Sequence, residues 1–131
     1  MPSYTLINLK TDVEDMAPKF GMGPGLESRF ARRPLGLEQS GLSYFRVEPN
    51  YRFPFGHHHE DQEEVYLVLS GSARMKLDDD IVELGQWDAV RVPAEVTRGF
   101  ESGPDGAEIL AFGAPSNENK DVQMVQDWWT D

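Results

Sequence analysis

At 131 residues with no cysteine, the chain is long enough to bury the core of one ordinary domain unaided, and it has no material for disulfides, thiolate metal sites or a cysteine nucleophile. Its 23 acidic residues against 12 basic ones leave a formal charge of -11, which repels phosphate backbones and anionic bilayers, so no nucleic acid and no membrane is expected as a partner. No stretch approaches the roughly 20 apolar residues of a membrane span, and the first residues lack the basic-then-apolar form of a secretion signal, so the expected address is cytoplasmic.

The first 41 residues read as an arm of the same single domain. They predict a strand near residues 4–8, an irregular connection broken at Pro24, Gly25, Pro34 and Gly36, and another strand around 28–33. An arm of this kind is suited to capping the sheet edge of a second copy, so a homodimer is expected. Across 42–114, short apolar runs at period two alternate with Gly, Pro and Asp punctuation, which is the rhythm of an all-β sandwich or barrel. The predicted strands are 42–47, 64–70, 73–77, 81–84, 88–93, 97–102 and 108–114, with turns at Asp78-Asp79-Asp80, Gly85-Gln86 and Gly103-Pro104-Asp105-Gly106. No run has a helical period. The tail, 115–131, predicts a short helix or an extended segment that lays Trp128 and Trp129 on the chain's own body or on a dimer partner.

All the histidines stand together in FGHHHEDQEEVYLVLSG. On a strand, residues i and i+2 share a face, so His57 and His59 aim at one point and His58 faces away. A carboxylate from Glu63 or Glu64 would complete two neutral nitrogens and one anionic oxygen. That donor set suits iron, manganese, nickel or zinc and leaves positions open for water or substrate. The bland alternative is a solvated loop followed by an acidic surface run.

The spacing His57-x-His59, four residues, Glu64, six residues and Gly71 resembles the first motif of the cupin superfamily, with Tyr51 where that motif has its leading Gly. The resemblance covers roughly 42–114. It implies a cupin-type double-stranded β-helix, a jelly-roll barrel in a single domain, and it selects Glu64 over Glu63 as the third ligand. Of the second cupin motif only Pro93 is kept, since Trp87, Glu95, Arg98 and Ser102 stand where the family has Gly, Gly, His and Asn. Arg98 cannot ligate a metal, because its guanidinium stays protonated and offers only donors. Either His57, His59 and Glu64 hold one divalent ion by themselves, or Arg98 replaces the ion, pairs with Glu64 and leaves a metal-free pocket. Arg98 is also a candidate for binding the carboxylate or phosphate of a small acid.

Alternation from Glu64 puts Tyr66 and Val68 on its face and Val65 and Leu67 on the other, which makes Tyr66 a candidate substrate-binding residue. Tyr44 and Arg46 share a face one strand earlier and are expected to line the same cavity. Phe53, Phe55, Trp87 and Phe100 are expected in the core or at its rim, and Arg29, Arg32 and Arg33 on an ion-pair surface. Serine-hydrolase, phosphate-loop and dinucleotide signatures are absent from the sequence. Three functions stay open: a metal-dependent enzyme acting on a small organic acid or oxygenated metabolite, a metal-free module for a small-molecule ligand, and a non-catalytic barrel with a regulatory role.

Overall fold

Strands built on the period-two alternation curl around one core in the computed structural model, which describes residues 3–116 and 121–131. Residues 1–2 of the expected arm and 117–120 of the expected tail lie outside the described residues. After a single 3₁₀ turn at Pro18–Phe20 come β1 (Leu26–Phe30), α1 (Arg32–Leu35), β2 (Gly41–Val47), β3 (Gly56–His59), β4 (Glu63–Leu77), β5 (Asp80–Leu84), β6 (Ala89–Val92), β7 (Arg98–Ala114) and β8 (Val122–Val125).

The long strands β4 and β7 pair antiparallel from Glu63 opposite Ala114 to Leu77 opposite Arg98. On its other flank β7 carries β2 and meets β3 where His57 stands opposite Arg98. In turn β2 carries β1, β3 carries β8, and β4 takes β5 and β6. The result is an all-β cupin-type barrel whose core holds Phe45, Val47, Val68, Met75, Val92, Phe100 and Ile109.

Two expected strand pairs turn out to be single strands. The runs 64–70 and 73–77 are both β4, and 97–102 and 108–114 are both β7. What looked like a turn at 103–106 is a bulge inside β7, opposite Ser72. Gly71 and Gly106 both have positive φ, 73° and 75°, and a Cβ on Gly71 would lie 2.0 Å from the Gly106 carbonyl oxygen. Backbone touches backbone there, which only glycine permits, and the register shifts on either side of Gly71 bend both strands from one half of the barrel into the other.

Residues 4–8 form no strand, and Tyr4 and Leu6 are 75% and 87% exposed there. The second arm strand starts at Leu26 and ends at Phe30, since Ala31 leads into the short helix that Gly36 closes in the left-handed conformation. Within this chain β1 extends its own β2. Asp15 accepts the backbone N–H of Ala17 and Ser28 and fastens the segment before β1 against it. The tail is extended, as one expectation had it, and docks on its own barrel. Trp128 covers Gly56 and Gly99, and Trp129 Nε1 donates to the Phe53 carbonyl at 2.8 Å. Trp87 corrects the core-or-rim expectation, because it sits at φ 70° and is 67% exposed. Among the described residues no helix is long and apolar enough to cross a membrane.

Candidate metal centre

Alternation along β3 aims His57 and His59 at one point, with their rings edge to face and 5.1 Å apart. His58 turns away, its Nδ1 3.4 Å from Thr97 Oγ1. At the start of β4 the same alternation sends Glu63 outward to Arg91, at 2.7 Å, and Glu64 inward. Glu64 Oε1 then lies 3.5 Å from His57 Nε2 and 3.4 Å from His59 Nε2. The ligand atoms of all three lie within 4.8 Å of one another, close enough that a shared cation could draw them to its bonding distances of about 2.0–2.1 Å.

The surroundings fix each donor. His59 Nδ1 donates to Asp121 Oδ1 at 3.1 Å, while the other oxygen of Asp121 accepts the backbone N–H of Asp61 and Gln62. This leaves His59 Nε2 buried, without a hydrogen bond among the described residues and directed at Glu64. Tyr66 donates its hydroxyl to Glu64 Oε1 at 2.8 Å. Burial pushes the Glu64 carboxyl up, but the two histidines and the Arg98 charge outweigh it and hold the group well below the usual carboxylate range. Burial also lowers His57 despite Glu64 beside it, whereas at His59 the carboxylates of Glu64 and Asp121 overcome burial and raise the imidazole. Burial drives the Tyr66 hydroxyl far up, and the Glu64 charge adds to this, so it stays a donor.

Arg98 is 1% exposed, with Nε 3.8 Å from Glu64 Oε1. Its Nη2 donates to the carbonyls of Pro93 at 3.0 Å and Val92 at 3.4 Å, while Nε and Nη1 make no hydrogen bond among the described residues. The guanidinium borders a void of about 40 Å³ against His57, Tyr66 and Phe100. It does not line the main cavity, of about 910 Å³, into which His57, His59, Glu64 and Tyr66 open. Arg98 thus stands behind the triad, on the small void and not among the residues that line the main cavity. Tyr44 and Arg46, expected to line that cavity, do not. Phe45 takes the cavity side of β2, so Tyr44 points outward and donates to Glu108, and Arg46 pairs with Glu27 at 3.1 Å and Glu48 at 2.8 Å. Parity showed that these two share a face but not which face the barrel would enclose.

Sequence reasoning missed Asp121. It stands 62 positions from His59 and reaches it only because β8 pairs with β3, Val122 opposite His59. The alternating V-Q-M-V just after Asp121 is the one local signal of the strand that carries it to His59.

None of the curated proteins matches the chain in sequence. Solved structures do match in fold. A cupin protein from Bacteroides fragilis is 19% identical with a TM-score of 0.72, covering 100% of this chain and 99% of that one. Streptomyces PAC13 bound to uridine is 18% identical with a TM-score of 0.77, covering 98% and 95%. Oxalate decarboxylase from Bacillus subtilis is 19% identical with a TM-score of 0.74, and the match spans 94% of this chain but 33% of that one. At such identities the likeness speaks for the fold alone. The family described as cupin domain matches residues 43–112, more than half the chain and the stretch that carries His57, His59, Glu64 and Arg98, and the protein belongs to the cupin family.

Proposed function

We propose that this barrel holds one divalent transition metal through His57, His59 and Glu64 and acts on a small oxygen-bearing molecule in the cavity above them. The observation that carries this reading is His59. Its Nε2 is buried, makes no hydrogen bond among the described residues and lies 3.4 Å from the Glu64 carboxylate, while its Nδ1 is tied to Asp121. A carboxylate on the far nitrogen fixes the tautomer and ring orientation that a metal-ligating histidine needs. A bound ion would supply Lewis acidity at an oxygen atom of the ligand. The chain's own residues do the rest: Asp121 aims His59, Tyr66 holds Glu64 by its hydroxyl, and the two histidines, with the Arg98 charge behind them, keep Glu64 ionised. PAC13, described as a nucleoside dehydratase, and oxalate decarboxylase are barrel neighbours of this chain that act as enzymes on small molecules, which supports catalysis as the use of the cavity.

One observation favours a second reading. With Arg98 3.8 Å from Glu64 Oε1, the pocket already contains a cation and can work without a metal. Elemental analysis decides between the two, on untagged protein purified without chelators or a nickel column. The metal reading expects about one equivalent of iron, manganese, nickel or zinc, lost in His59→Ala. No metal in the native protein, even after anaerobic addition of each ion, removes that reading and leaves the arginine pocket.

A further inference from the structure

Near the triad the cavity has an aromatic wall. Phe45, Phe53, Phe55 and Tyr66 line both the main cavity and the small void against His57 and Arg98. Phe53 and Phe55 meet edge to face at 5.1 Å, so their positions are set by each other as well as by the barrel. Further out, Phe20, Phe30 and Met124 also line the cavity, yet they are 56%, 38% and 50% exposed. Apolar side chains left facing solvent around one concavity, rather than scattered, mark a binding surface.

From this we infer that the ligand has an apolar ring body, aromatic or alicyclic, and one oxygen-bearing end. The ring lies against Phe30, Phe53, Phe55 and Met124, and the oxygen meets the His57, His59 and Glu64 face. The second part rests on the metal reading above. A volume of about 910 Å³ accepts such a molecule with room to spare. A small diacid or a sugar acid fits the wall badly. Polar side chains, Arg32, Arg33, Gln62 and Ser116 among them, also line the cavity, but a carboxylate or hydroxyl placed against the phenylalanine rings is desolvated without a partner there, which opposes binding.

The test uses 2-naphthol as the ring probe and oxalate and glucuronate as polar probes, titrated into full-length protein by calorimetry, with metal content measured on the same samples. The expected result is that 2-naphthol binds and the polar probes do not. Phe55→Ala and the more exposed Phe30→Ser should each weaken 2-naphthol on the order of tenfold, with metal content unchanged. Tighter binding of oxalate or glucuronate, or 2-naphthol affinity untouched by both substitutions, overturns the inference while metal uptake stands. Binding of 2-naphthol that depends on the phenylalanines in a protein that takes up no metal upholds the ring site and sinks the metal reading instead.

Discussion

At His59 the two ring nitrogens have opposite surroundings, one on the Asp121 carboxylate and the other buried beside Glu64 with no hydrogen bond among the described residues. Because the whole residue is 3% exposed, bulk water does not compete with Asp121 for Nδ1, and the tautomer is set by the protein. Asp121→Asn keeps an acceptor oxygen but removes the charge. Metal affinity should fall on the order of 10- to 100-fold while the melting temperature barely moves; competition against a chelating dye reads it. Arg98→Met should act in the opposite direction on the same assay. A buried guanidinium 3.8 Å from a ligand oxygen repels an incoming dication, so its removal raises affinity on the order of tenfold. A lower affinity in Arg98→Met would mean that Arg98 serves the site by fixing Glu64. His57 and His59 were legible from spacing because a strand puts i and i+2 on one face, and the resemblance to the cupin motif added Glu64. Asp121 was not, because only strand pairing brings it near.

Between elements, the clearest cross-link is charged. Glu101 on β7 takes Arg52 at 2.8 Å and Arg74 of β4 at 2.7 Å, and Asp131 at the end of the tail pairs with the same two arginines at 3.0 and 2.9 Å. Burial raises the Glu101 carboxyl, but the two arginines outweigh it and leave its pKa below the ordinary 4.5. A folded-state pKa below the unfolded one gives stability that is fully present above the unfolded value and lost as pH falls through it toward the folded value. Glu101→Gln should therefore lower the melting temperature at neutral pH, and the gap to the native protein should close as pH drops below 4.5. A gap that stays constant with pH would assign the loss to packing. Strand existence was readable at this scale, since alternation and turn residues are local. Strand continuity was not. Gly71 and Gly106 read as breaks, yet both strands run through them, since two backbones cross there with no room for a side chain.

For the molecule as a whole, the homodimer predicted from the sequence needs a face. Val65 and Phe112 stand opposite each other across β4 and β7 on the outside of the barrel, 37% and 49% exposed. We propose that a second copy covers them; sedimentation velocity should show a dimer that Phe112→Asp turns into monomers with metal content unchanged. A monomeric native protein at micromolar concentration would set the dimer aside. By itself the sequence determined the all-β class and, through strand parity, the shared face of His57 with His59 and of Glu64 with Tyr66, while the resemblance to the cupin motifs supplied the barrel, the choice of Glu64 over Glu63 and the place of Arg98 near them. The tertiary structure alone decided that Arg98 sits behind the triad, that Tyr44 and Arg46 face out, that Asp121 locks His59 and that phenylalanines and methionines wall the cavity. Those facts depend on which strands become neighbours and which face closes inward, and both are fixed by contacts between residues far apart in the chain.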